Sequence, residues 1–195
     1  MIRIALVGDI GSGKSYFSKL FKFPIFNADL EVTKIYEKDK NFIKLIRKKF
    51  PKQTFSFPLK KEELIKCILS NPENLKKISK IVHPMVRKKL NIFLKKNKNK
   101  MFVILDIPLY LENKLHLKND IIVYIDSKNK DIKSRLLKRK SFNNKLLNLF
   151  KKIQLPLAIK KKKSNFIIKN EFTTKKAKRS VKYILTQLKN ERNNT

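Results

Sequence analysis

Eight residues, Gly8-Asp9-Ile10-Gly11-Ser12-Gly13-Lys14-Ser15, constrain this chain more than any other stretch. They fit G-x-x-x-x-G-K-[ST], a loop whose successive backbone N–H groups curl around phosphate oxygens. All three glycines of the 195-residue chain lie inside it. At the chain's own residue frequencies such a match arises by chance about once in a thousand sequences. The mostly apolar residues 2–7 ahead of it read as a buried strand, and residues 14–22 behind it as a helix, with Phe17, Leu20 and Phe21 at helical spacing. In that setting Lys14 reaches the β and γ phosphates of a nucleotide and the Ser15 hydroxyl coordinates magnesium.

The rest of the chain alternates strand and helix patterns. Residues 24–28, 101–105, 120–125 and 166–168 read as strands. Residues 30 to about 97 read as helical, with breaks expected near Pro51, Pro58, Pro72 and Pro84. Residues 130–140, the very basic 142–163 and 174–189 read as further helices, and residues 190–195 as a frayed end. The alternation predicts an α/β fold, with a five-stranded parallel sheet between helical layers. The long helical stretch predicts a subdomain between the second and third strands. The expected division is a core of 1–29, 99–138 and 164–190, a helical substrate-binding subdomain at about 30–98, and a lid at about 139–163.

Composition narrows the function classes. Lys+Arg 49 against Asp+Glu 15 gives a formal charge of +34. Of the 49 bases, 42 are lysine and 7 arginine, while Asn is frequent at 18 and Gly scarce at 3. Specific nucleic-acid readers lean on arginine for bidentate contacts. This lysine-led bias instead matches drift toward A/T-rich codons, and no specific nucleic-acid partner is expected. Anionic substrates suit the charge in either case. One cysteine, Cys67, excludes an internal disulfide, and with only His83 and His116 beside it a structural zinc site is not expected. The apolar runs are too short to span a bilayer. Met1-Ile2-Arg3 leads straight into a strand, so no signal peptide is expected, and the expected compartment is the cytoplasm.

Two carboxylates stand at expected strand ends. Asp29, two residues after Asn27, is placed either to accept a proton from an attacking hydroxyl or to cap the following helix. Asp106, ending the third strand, either holds magnesium near the phosphate loop or closes a turn before Pro108. Arg135 and Arg139 share a helix face, either clamping a nucleotide or forming an exposed basic helix.

Taken in order, these residues resemble the dephospho-CoA kinase family across nearly the whole chain. The loop resembles that family's G-G-I-G-S-G-K-S/T, and Asn27-Ala28-Asp29 its D-A-D. Asn71-Pro72 and His83-Pro84 are similar to its N-P and H-P elements. Asp106-Ile107-Pro108-Leu109-Tyr110-Leu111-Glu112-Asn113 resembles D-x-P-L-L-x-E-N. Gln154-Leu155-Pro156-Leu157, Lys160 and Asn165 through Asn170 resemble Q-x-P-L-x-x-K…A-D-x-x-I-x-N. The loop is common to many kinases; the later motifs in this order are far more specific.

The resemblance implies ATP-dependent phosphorylation of the ribose 3′-hydroxyl of dephospho-CoA, the last step of coenzyme A synthesis, with ATP and Mg2+ as cofactors. It implies Asp29 as general base, with Lys14 and Arg139 on the transferring phosphoryl group. The phosphate site would be Gly8, Asp9, Ile10, Gly11, Ser12, Gly13, Lys14, Ser15 and Tyr16, with Arg135 near the nucleotide. Ser15 and Asp106 would serve the metal. His83, Pro108, Leu109 and Glu112 would surround the acceptor, although an H-P pair also suits a helix start with Pro84 at its first position. A monomer or weak homo-oligomer without a membrane partner is expected. The chain departs from the pattern at Asn27 for an acid, Asp9 for a glycine, Tyr16 for a small residue, Ser164-Asn165 for A-D, and Lys140 for an acid after Arg139. The alternatives are another small P-loop kinase acting on a nucleotide or metabolite, and a basic nucleic-acid-binding NTPase.

Overall fold

The computed structural model describes residues 1–138 and 143–193, the side chains through residue 191. Arg139 and Lys140 therefore lie outside the described residues. The chain divides into two compact units. One comprises Met1–Asn27, Asn97–Phe142 and Ile153–Thr195, and the other Ala28–Lys96 and Asn143–Lys152.

The first unit is built on five parallel strands: β1 (Ile2–Gly8), β2 (Ile25–Asn27), β3 (Phe102–Asp106), β4 (Ile121–Ser127) and β5 (Phe166–Asn170). Their order is β2-β3-β1-β4-β5. In register, Ile4 pairs with Ile104 and Ile121, and Val123 with Phe166. The central strands read as unbroken apolar runs because both faces are buried, as parallel sheets require. On one face Ile4, Leu6, Ile104, Val123 and Ile125 meet Phe17 of α1 (Lys14–Leu20), Phe21 just after it, and Ala177, Val181, Ile184 and Leu188 of α9 (Thr174–Asn193). The alternate residues Ala5, Val7, Val103, Leu105, Ile122 and Tyr124 are buried as well. α8 (Leu157–Lys162) packs on β1, and α6 (Asn129–Leu137) follows β4. Because the chain leaves β1 toward β2 and β3 and later returns to β4 on the other side, the order of strand addition reverses beside β1. Ligands of open parallel sheets bind at that reversal.

The second unit is helical: α2 (Ala28–Lys38), α3 (Lys40–Lys49), α4 (Lys61–Ser70), α5 (Glu73–Lys96), and most of α7 (Asn144–Ile153). Phe42, Ile43 and Ile46 of α3 pack with Leu64, Cys67 and Ile68 of α4 and with Ile78 and Val82 of α5. Asp39 caps α3 by accepting from Asn41 N and Phe42 N. Leu146 and Leu149 of α7 join the same core.

Three boundaries differ from the sequence expectation. The break expected near Pro84, and its reading as a helix start, are wrong: α5 runs through Pro84 from Glu73 to Lys96. An interior proline costs about 3 kcal/mol. Here Ile78, Ile81 and Val82 before it and Met85 and Val86 after it lie on the helical core, and that burial offsets the loss. The helical stretch 142–163 is two helices parted at 154–156, where Pro156 is extended (φ −49°, ψ 135°). The end expected to fray continues as helix to Asn193. Among the described residues, no helix is long and apolar enough to cross a membrane.

Candidate active site

The phosphate loop leaves β1 at Gly8 and enters α1 after Gly13, at the point where the sheet reverses. Gly13 has φ 96°, a left-handed conformation, and a Cβ there would lie 2.8 Å from Asn170 Nδ2. Gly8 is equally confined, since its Cβ would lie 2.7 Å from the Ile125 carbonyl oxygen. Both positions thus require glycine for conformation and for space.

Lys14 Nζ donates to the Asp9 carbonyl at 2.7 Å and approaches that of Gly8 at 3.4 Å, so its ammonium lies across the loop. The Asp9 carboxylate turns back onto the loop and accepts from Ile10 N at 2.7 Å. A side-chain anion therefore already engages one N–H of the cradle. Ser15 begins the exposed side of α1. Tyr16 faces the start of α9, its hydroxyl 3.3 Å from Thr174 Oγ1. The Ser12 carbonyl accepts from Ser127 Oγ and Asn170 Nδ2, both at 2.9 Å, while its buried hydroxyl has no partner among the described residues.

Asp106 ends β3 with 3 % exposure and pairs in register with Asn27 at the end of β2. Asn27 Nδ2 donates to Asp106 Oδ2 at 2.7 Å. The amide that replaces the expected acid supplies a donor where a second carboxylate would meet like charge. Hard oxygens from Ser15 and Asp106 suit magnesium, which takes one or two protein oxygens and fills its shell with phosphate and water.

After β3 the chain turns sharply. Leu109 has φ 56°, and its carbonyl accepts from Asn113 N at 2.9 Å. Tyr110 anchors this turn by donating to Asp120 Oδ2 at 2.5 Å, and the Asp120 carboxylate also accepts from Nε and Nη2 of Arg3. Burial, and then this bond, push the Tyr110 hydroxyl pKa up. The Glu112 carboxylate is held by Lys160 Nζ at 2.7 Å and Leu155 N at 3.0 Å. Pro108 is exposed and Leu109 half-buried on the same turn. Arg135, in the last turn of α6, stacks its guanidinium 4.6 Å from the Phe172 ring centre.

Asp29 and His83 belong to the helical unit. Asp29 is not a cap. It lies inside the first turn of α2, because the helix begins at Ala28, and its exposed carboxylate gains from the positive end of the helix. Burial, with the Asp29 charge second, raises the Tyr36 hydroxyl to about 12. His83 is half-buried on α5, and its imidazole titrates below 6.5, first from burial and then from Arg87.

Sequence reading gave no role to Ser127, Asn170, Phe172 or Lys160. Asn170 and Lys160 stand in the quoted motifs, which was a usable signal. Ser127 and Phe172 have none, since their partners are 115 residues away for Ser127 and in α6 for Phe172.

The five-stranded parallel sheet, with the glycine loop at its reversal and a lysine across that loop, defines a P-loop kinase fold. Solved structures agree. The chain aligns with a Thermus thermophilus structure at TM-score 0.78 and 24% identity, covering 96% of this chain and 97% of that one. It aligns with a structure described as dephospho-CoA kinase from Campylobacter jejuni at TM-score 0.62 and 22% identity, over 95% and 96%. The sequence profile described as dephospho-CoA kinase matches residues 2–176, and the chain belongs to that family. A dephospho-CoA kinase from Wolbachia sp. subsp. Brugia malayi is 34% identical over 95% of this chain and 97% of its own length. One from Agrobacterium fabrum is 30% identical over 96% and 98%.

Proposed function

We propose that this chain transfers the γ-phosphoryl group of ATP to the ribose 3′-hydroxyl of dephospho-CoA, giving CoA and ADP, the last step of coenzyme A biosynthesis. The observation that carries the reading is the phosphate loop at the sheet reversal, in a chain that matches dephospho-CoA kinases over almost its full length.

In this mechanism Lys14 exchanges its two carbonyl partners for the β and γ phosphate oxygens, a stronger, charge-assisted pairing. The loop N–H groups and the start of α1 take the remaining oxygens. Ser15 and Asp106 would hold Mg2+, which when bound neutralises charge on the phosphates. Asn27 keeps the Asp106 carboxylate oriented without adding a second anion. Asp29 accepts the proton of the attacking ribose hydroxyl. The Arg135 guanidinium, already over the Phe172 ring, meets the nucleotide, and Arg139 meets the transferring phosphoryl group.

The helical segment at about 30–98 serves as the acceptor-binding subdomain and residues 139–163 as the lid. His83, Pro108 and Leu109 contact the acceptor. Glu112 acts there indirectly, since Lys160 and Leu155 N hold its carboxylate and fix the turn that carries Pro108. The enzyme works in the cytoplasm as a monomer or weak homo-oligomer, without a specific nucleic-acid partner. ADP release, measured with ATP and magnesium against dephospho-CoA, AMP, CMP and single-stranded RNA, tests the reading. Stimulation by dephospho-CoA alone is expected. Preference for AMP or CMP would favour another small kinase, and stimulation by RNA a nucleic-acid NTPase.

A further inference from the structure

The Ser12 carbonyl receives two side-chain donors from different strands. Ser127 Oγ comes from the end of β4 and Asn170 Nδ2 from the end of β5, each at 2.9 Å. In a trans peptide the C=O and the following N–H point in opposite directions. Holding the Ser12 carbonyl toward β4 and β5 therefore aims the Gly13 N–H the other way. That direction matters because Gly13, at φ 96°, is a residue about which a peptide plane can rotate at little steric cost. A rotated Ser12–Gly13 peptide would present a carbonyl oxygen where a phosphate oxygen has to sit.

We infer that Ser127 and Asn170 are positioning residues that lock the Ser12–Gly13 peptide and so orient the Gly13 N–H for nucleotide phosphate. Asn170 is suited to this by its confinement. It is 4 % exposed, its Oδ1 accepts from Phe172 N at 2.9 Å, and its Nδ2 fills the space beside Gly13. One side chain thus couples the phosphate loop to the Phe172 turn on which Arg135 stacks. The inference rests on the proposed kinase reading only in that nucleotide phosphates occupy this loop.

The test measures ADP binding by calorimetry and the KM for ATP in Ser127→Ala, Ser127→Thr, Asn170→Ala and Asn170→Asp. Asn170→Asp keeps the acceptor for Phe172 N but sets an anion where the donor to Ser12 stood, so Ser127→Ala, which adds no charge, isolates the lost bond. Losing one such bond should weaken ADP binding and raise the KM for ATP roughly threefold to tenfold, with kcat and the acceptor KM little changed. Ser127→Thr retains the hydroxyl and should behave as wild type. Should Asn170→Ala fail to fold, Ser127→Ala and its threonine counterpart carry the test. Folded Ser127→Ala and Asn170→Asp proteins that bind ADP like wild type would overturn the inference, as would a fall in kcat at constant KM. A wild-type chain that binds no ADP would instead overturn the nucleotide reading itself.

Discussion

Removing the ammonium of Lys160 exposes how much of the site depends on one buried ion pair. The Lys160 side chain is 3 % exposed and that of Glu112 9 %, with Nζ and carboxylate oxygen 2.7 Å apart. At an effective dielectric of 20, unit charges at that distance attract by about 6 kcal/mol, before the cost of taking both out of water. In Lys160→Met the Glu112 carboxylate stays buried with Leu155 N as its remaining donor among the described residues. A buried charge stripped of its partner typically costs about 3–5 kcal/mol. For a chain of this size that is a fall of roughly 6–20 °C in Tm. Scanning calorimetry on Lys160→Met, Glu112→Leu and the double variant reads it. The double variant should recover to within about 1–2 kcal/mol of wild type, because no charge remains uncompensated and only the Leu155 N–H is lost. A single-variant shift under about 2 °C, or a double variant as unstable as the sum of the singles, would refute the pairing argument.

Three further outcomes follow from the site. Asp29→Asn should lower kcat by about 10²–10⁴-fold and leave ADP affinity within about threefold, measured by steady-state kinetics and calorimetry. Asp9→Asn retains an acceptor for Ile10 N but removes an anion from the phosphate cradle, so ATP should bind about twofold to fivefold tighter; unchanged or weaker binding would show that the carboxylate is harmless there. Because burial and Arg87 depress the His83 pKa, the unfolded chain binds this proton more readily. The stability due to neutral His83 is therefore full above pH 6.5 and lost as pH falls below it. Denaturant titrations at successive pH values should show that decline weakened in His83→Asn.

What the sequence revealed and concealed divides along the range of the interactions. The phosphate loop was legible because its glycines, lysine and serine act within eight consecutive residues. Asp106 was legible because an acid ending an apolar run marks a strand's C-terminal end. Asn27 looked like the loss of an acid. Its bond to Asp106 depends on β2 pairing with β3, a neighbour 79 residues away. Pro84 carries a strong local signal for a break, and the packing of Ile78, Val82, Met85 and Val86 on the helical core overrides it. Residues 143–152 read as part of a lid at about 139–163, and their packing through Leu146 and Leu149 on the helical core was not legible in the sequence. The family resemblance put Glu112 near the acceptor, and only the fold reveals Lys160 against it.

Phosphorus NMR of the product formed from ATP, magnesium and dephospho-CoA tests the central claim most directly. The account predicts one new phosphomonoester on the ribose 3′-hydroxyl, matching authentic CoA, in amounts equal to the ADP released. Phosphate on another hydroxyl, or ADP accompanied only by inorganic phosphate, would contradict it.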